Sequence, residues 1–249
     1  MNYLVGDIGN TFIKISILND NLKIKKTYNL QTKKIYQDTS KKKFLSKLKK
    51  KKLYGKVLFS SVVPKALKII KKDLLKKKFD VLEIKEIDIK KIIKIKVKNY
   101  YQLGSDRISN AVGSLKYNNS IIIDFGTATT FDIVKNGTYE GGVISPGINL
   151  SILNLNKSTA LLPILNLKKM QKSYGKNTQE ALNAGFLWGY EGLINNIIKK
   201  ICSKSNLKFK IILTGGYAKL FKRYIKSKTI IDQDITIKGI ANIFKRIIL

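Results

Sequence analysis

Short apolar runs separated by glycine turns alternate along the chain with stretches of helical period. Tyr3-Leu4-Val5 and Phe12–Leu18 flank a turn at 7–11, and Ile121-Ile122-Ile123 and Phe131–Val134 flank another at 124–130, so each pair predicts a β-hairpin. Leu22-Lys23-Ile24 is strand-like, and Phe44, Leu45, Leu48 and Leu53 predict a lysine-rich surface helix. Val57–Val63 reads as a buried strand, after which Pro64 opens a helix to about Lys78 on Ala66, Leu67, Ile70, Leu74 and Leu75. Residues 79–98 predict two short strands joined by a charged link. Ser105 is then an expected N-cap for a helix from Asp106, carried by Ile108, Ala111, Val112 and Leu115.

The second half keeps this alternation. Tyr139–Gly147 predicts a strand entering a constrained loop, followed by a short helix over Asn149–Leu155. Residues 160–174 read as loop with a strand-like piece. Asn177 with Glu180 makes a capping-box arrangement for a helix to about Lys200, in which Gly185, Gly189 and Gly192 predict a close helix contact, within the chain or across a dimer. Phe209–Leu213 is a buried strand ending in the turn Thr214-Gly215-Gly216, and helix, short strand (Thr229-Ile230-Ile231) and helix follow. Strands alternating with helices define an α/β protein.

The two hairpins share a device: strand, Asp-x-Gly-x-Thr or Asp-x-Gly-Thr turn, strand, starting at Asp7 and at Asp124. Two copies imply a duplicated fold, with an expected boundary between 1–115 and 116–249 and a glycine turn from each half at a central nucleotide cleft. Gly126 lets backbone approach a ligand, and Thr127, Thr129 and Thr130 offer hydroxyls and N–H groups to phosphate oxygens. A carboxylate there opposes a polyanion, so Asp124 is expected to act through a cation; the plainer alternative is an Asp capping its own turn. Asp106 and Arg107 occupy a helix's first turn beside Gly104, where Asp106 either complements the helix dipole or works on a ligand.

Composition mostly excludes. The 249 residues contain no histidine and one cysteine, Cys202, which removes His-based acid/base chemistry, His-ligated zinc, Cys-clustered metal and an internal disulfide. No run of about 18 apolar residues suggests a membrane span, and Asp7 interrupts any signal-like start, so a soluble cytoplasmic protein with no membrane partner is expected. The net charge is +33, yet among 49 basic residues only Arg107, Arg223 and Arg246 are arginines. Lysine rising together with isoleucine and asparagine reads as AT-rich coding rather than a nucleic-acid surface, and no aromatic-basic platform supports nucleic acid as a partner. There is no G-x-x-x-x-G-K-[ST] and no glycine pair spaced i, i+2, which excludes P-loop kinases and Rossmann dehydrogenases.

Six motifs stand in register from end to end: Asp7-x-Gly-Asn-Thr-x-x-Lys14, Gly104-x-Asp-Arg107-x-x-Asn110-Ala111, Asp124-x-Gly-Thr-Ala-Thr-Thr130, Gly141-Gly-x-Ile-x-Pro-Gly147, Gly175-Lys-Asn-Thr178 and Thr214-Gly-Gly216. In order and spacing the chain resembles type III pantothenate kinase. That resemblance implies two duplicated RNase H-like domains of the actin-like, sugar kinase and Hsp70-type ATPase superfamily. It further implies transfer of the ATP γ-phosphate to the hydroxyl of pantothenate, the first step of coenzyme A synthesis. Carried over, residues Asp7, Ile8, Gly9, Asn10, Thr11, Phe12, Ile13 and Lys14 form the first ATP loop, with Asp7 acting through Mg²⁺. Thr127 binds ATP phosphate, and Asp124 holds a monovalent cation, K⁺ or NH₄⁺. Gly104, Ser105, Asp106 and Arg107 hold pantothenate, with Asp106 as base, and Thr178 contacts substrate across a homodimer interface.

The chain departs from the family pattern at two places, where a usual tyrosine is Val97 and a usual lysine is Leu161. Alternatives on the same scaffold are a non-catalytic accessory protein, against which the intact Asp7, Asp106 and Asp124 argue, and another small-molecule kinase, against which Gly104-x-Asp-Arg107 argues.

Overall fold

The computed structural model describes residues 1–48, 53–167 and 173–249. The chain divides into two compact units, neither continuous in sequence: Met1–Asn118 with Val134–Gly141 and Asp234–Leu249, and Asn119–Ile133 with Gly142–Gln233.

In the first unit, β1 (Asn2–Ile8), β2 (Phe12–Leu18) and β3 (Ile24–Gln31) form an antiparallel meander. After α1 (Asp38–Leu45), β4 (Leu53–Ser61), α2 (Pro64–Lys76) and β5 (Asp80–Glu83) add two parallel strands, giving the order β3-β2-β1-β4-β5. β1 is central, so Leu4, Val5 and Ile8 are all fully buried, and its register puts Asp7 opposite Lys14 on β2 and Ser60 on β4. Gly6 is required there because a Cβ would overlap the Phe59 ring. The α2 stripe Ala66, Ile70 and Leu74 seals one face. Leu53, expected on a helix, instead opens β4 opposite Asn2: the β-forming run 53–61 finds a parallel partner in β1, and the helix stops at Leu45. Lys49–Lys52 of that predicted helix lie outside the described residues. The unit continues through the short β6 (Lys94–Ile95) to α3 (Ser105–Gly113).

In the second unit, β7 (Ser120–Phe125), β8 (Ala128–Lys135) and β9 (Thr138–Pro146) precede α4 (Ile148–Lys157), α5 (Thr178–Cys202), β10 (Lys210–Gly215), α6 (Ala218–Phe221) and β11 (Thr229–Ile231). The sheet order is β11-β10-β7-β8-β9-β6, with β10 parallel to both neighbours and Asp124 opposite Thr214. The tip of the β8–β9 hairpin groups with the first unit, where β6 pairs with it at Lys94↔Thr138 and Ile95↔Tyr139. Ala184, Leu187, Tyr190, Ile194 and Ile198 give α5 one buried face over Ile121, Ile123, Phe131 and Leu213. The loop expected after Tyr139 shrinks to Gly147, because β9 runs on through Pro146 with Ser145 Oγ bonded to Thr129 O (3.1 Å). No strand forms among the described part of 160–174.

The last helix, α7 (Ile235–Ile247), belongs to the first unit although sequence order suggested the second half. It packs on α3 so closely that a Cβ on Gly239 would overlap Ser109 O, and Thr236 Oγ1 donates to Asn110 Oδ1 (2.7 Å). Phe244 completes an aromatic triad with Tyr3 and Tyr54.

Candidate active site

The first turn, Gly9-Asn10-Thr11, is tight and tied down. Gly9 N–H donates to Phe12 O (3.0 Å), and Thr32 clamps the turn from β3's end through its N–H to Thr11 O (2.9 Å) and its Oγ1 to Gly9 O (2.6 Å). Asn10, Thr11 and Phe12 are exposed at the tip, while the side chains of Ile8 and Ile13 are fully buried, so those two offer a ligand backbone only. Such a rim of N–H groups, hydroxyl and amide suits phosphate oxygens. Thr32 was not legible as a site residue; its only sequence signal is a threonine closing a strand.

The segment 104–107 is built differently from the expectation. Gly104 is the N-cap of α3 and Ser105 its first helical residue, because Glu83 draws the Ser105 hydroxyl away from the cap role. Asp106 stands in the first turn, and its Oδ1 accepts Arg107 N–H (2.8 Å). A Cβ at Gly104 would overlap that same oxygen, which explains the glycine. Burial raises the Asp106 carboxyl above the ordinary aspartate value, partly offset by the N–H and guanidinium of Arg107. The end of β4 joins the groups: Ser60 lies opposite Asp7, and Ser61 O is 3.3 Å from Ser105 Oγ. A carboxylate with heightened proton affinity can take a proton from a hydroxyl, while the helix N-terminus and the arginine beside it can hold an anionic substrate.

In the second unit the turn is one residue shorter, with Gly126 N–H donating to Ala128 O (3.1 Å) and Thr127 exposed at the tip. Gly147 packs on this turn, since a Cβ there would overlap Thr127 O. Gly215, at φ 84°, leaves a cradle a side chain would fill: a Cβ would come 2.6 Å from both Asp124 Oδ1 and Phe125 O. Carboxylate plus carbonyl oxygen is the donor chemistry of a hard, weakly held cation. Among the described residues no three His, Cys, Asp or Glu cluster together, so a divalent ion near Asp7 would be held by that carboxylate with phosphate and water, the habit of Mg²⁺.

Thr178 opens α5, where Asn177 Oδ1 caps Glu180 N–H (2.9 Å) and Glu180 reaches back to Lys176 N–H (2.9 Å) rather than completing a simple box. It lies on an apolar cavity of about 640 Å³ with Pro146, Leu155, Leu162, Gly185 and Gly189. Among the described residues nothing outside α5 comes within 4 Å of a Cβ at Gly185, Gly189 or Gly192, so the close helix contact expected within the chain is absent there. No helix among them is long and apolar enough to cross a membrane.

Two sheets, each carrying an Asp-bearing hairpin, give the actin-like ATPase and sugar kinase fold. The activator of 2-hydroxyisocaproyl-CoA dehydratase from Clostridium difficile, solved with bound ADPNP, shares this fold at TM-score 0.58 and 14% identity, over 98% of this chain and 94% of its own. The family model for type III pantothenate kinase matches residues 3–200, and the chain belongs to that family. It is 48% identical to the type III pantothenate kinase of Pelagibacter ubique over 95% of this chain and 96% of that one. It is 36% identical to that of a Sulfurihydrogenibium species over 95% and 97%. Its activity is thus the ATP-dependent phosphorylation of pantothenate in coenzyme A biosynthesis.

Proposed function

We propose that Asp106 is the base of this pantothenate kinase, accepting the proton of the acceptor hydroxyl as it attacks the γ-phosphate of ATP. The observation that carries the reading is the Asp106 carboxyl, admitted by Gly104 and raised in proton affinity by burial. Phosphoryl transfer runs mostly on positioning and charge neutralisation, so such a base is strong enough without histidine. Arg107 pairs with the pantothenate carboxylate, and Gly104 and Ser105 shape the backbone around it. The loop Asp7–Lys14 and Thr127 bind ATP phosphates. Asp7 would hold Mg²⁺ and Asp124 a K⁺ or NH₄⁺ ion in the Gly215 cradle, the ions supplying charge neutralisation on the transferring phosphate. The protein works in the cytoplasm as a homodimer, with the open glycine face of α5 as its contact and Thr178 reaching the partner's substrate. The test is pantothenate-dependent ADP release with Mg²⁺, in K⁺ and then Na⁺, for the wild type and Asp106→Asn. Turnover that needs pantothenate and K⁺ and collapses in the variant supports the assignment; an active Asp106→Asn overturns it.

A further inference from the structure

Glu83 takes no part in the chemistry above, yet it ends β5 with 7% of its surface exposed, in a chain that keeps few acids inside. Its Oε1 accepts from Ser105 Oγ (2.5 Å) and its Oε2 from Lys85 N–H (2.6 Å). Its own N–H donates to Glu86 Oε2 (3.0 Å), which fixes the strand end from the other side. Ser105 is fully buried, and Ser109 Oγ returns a bond to Ser105 O (2.8 Å). Ser105 therefore ties the first turn of α3 both to β5 and to the helix's next turn. Burial raises the Glu83 carboxyl despite these donors, so the acid sits there at a cost that an apolar residue would avoid. What an apolar residue could not supply is a directional anchor for the residue immediately before Asp106.

We infer that Glu83, acting through the Ser105 hydroxyl, is a positioning residue that sets the rotation of the first turn of α3 and hence the aim of the Asp106 carboxylate. The inference rests on Asp106 being the base. The alternative is that Glu83 only caps the helical turn Ile84–Glu86. The experiment measures kcat and pantothenate KM at saturating ATP, Mg²⁺ and K⁺, with thermal midpoints, for Ser105→Ala, Glu83→Gln, Glu83→Ala, the Ser105→Ala/Glu83→Ala pair and Asp106→Asn. Misaiming a reacting group by a fraction of an ångström predicts a kcat loss of about tenfold to a hundredfold in Ser105→Ala and Glu83→Ala, with KM changed far less. The double variant should be no worse than its worse parent, since both remove one bond, and Glu83→Gln, which keeps one acceptor, should recover part of the loss. Ser105→Ala at wild-type kcat, or losses that multiply, overturns the inference while a dead Asp106→Asn leaves the base in place. An active Asp106→Asn overturns the base and this role for Glu83 together.

Discussion

Asp7 lies one residue from the end of β1, opposite Ser60 on the parallel strand β4; Asp124 holds the matching place on β7, opposite Thr214 on β10. Past those positions the two hairpins diverge. The first connects its strands through Gly9-Asn10-Thr11, faces Asp7 with Lys14 and is clamped by Thr32. The second needs only Gly126-Thr127 and sets Asp124 beside a carbonyl and a left-handed glycine. A carboxylate across the strand pair from a lysine, beside a turn rimmed with donors, suits a phosphate that brings its own metal, whereas a carboxylate beside the Phe125 carbonyl and a left-handed glycine suits a monovalent ion. One duplicated scaffold thus gives its two aspartates different surroundings, and the two proposed tasks rest on that difference.

Exchanging the phenotypes of the two aspartates would break the comparison. Asp7→Asn should give the largest loss, about 10² to 10³ in kcat, that added K⁺ cannot recover. Asp124→Asn should be milder and conditional, losing about tenfold or more at low K⁺ and regaining much of it as K⁺ rises. Titrating Mg²⁺ and K⁺ against each variant reads this directly, and an Asp7→Asn enzyme rescued by K⁺ would show the two tasks to be wrongly assigned.

Gly215→Ala probes the second hairpin without touching a charge. At φ 84° alanine is strained, and its Cβ would crowd Phe125 O and Asp124 Oδ1, so about 1–3 kcal/mol of stability should go in urea unfolding, with a higher K⁺ requirement in what remains folded. Thr32→Val probes the first. Losing the Oγ1 bond to Gly9 O should cost about 1 kcal/mol and raise the KM for ATP while K⁺ dependence stays put.

The sequence made the hairpins plain because alternation and glycine turns are local, and both Asp-bearing turns stand where the pattern put them. The motif around Gly104–Arg107 was equally visible, yet what the Ser105 hydroxyl binds was not. Its partner Glu83 is 22 residues away on a strand of four residues whose pattern carries no chemical signature. The placement of α7 also escaped, since what docks it is Gly239 against Ser109 and Phe244 against Tyr3 and Tyr54, contacts more than a hundred residues apart. Propensity and spacing report neighbours along the chain, and these features depend on neighbours in space.

The smallest expected effect concerns Asp106, which differs from both hairpin aspartates in being set by its helix rather than by a turn. Its folded carboxyl titrates above the ordinary 3.8 because burial disfavours the charge. The folded state therefore binds a proton that the unfolded chain has already released, and folding loses stability as pH rises from the unfolded value through the raised folded one. Above that window the ionised carboxylate is a standing cost, so Asp106→Asn should melt slightly higher than the wild type at neutral pH and show no difference at a pH low enough to protonate both states. With Asp106 as the proposed base, the sign in activity is the reverse: kcat/KM should fall on the acid side through a value above 3.8, because only the ionised form accepts a proton. Thermal melts of the two proteins across pH, set beside the wild-type pH–rate profile, check both limbs. A variant that is less stable than wild type at neutral pH would mean that the Arg107 contacts outweigh burial, and that Asp106 is held for structure as firmly as the hairpin tips are held for ligands.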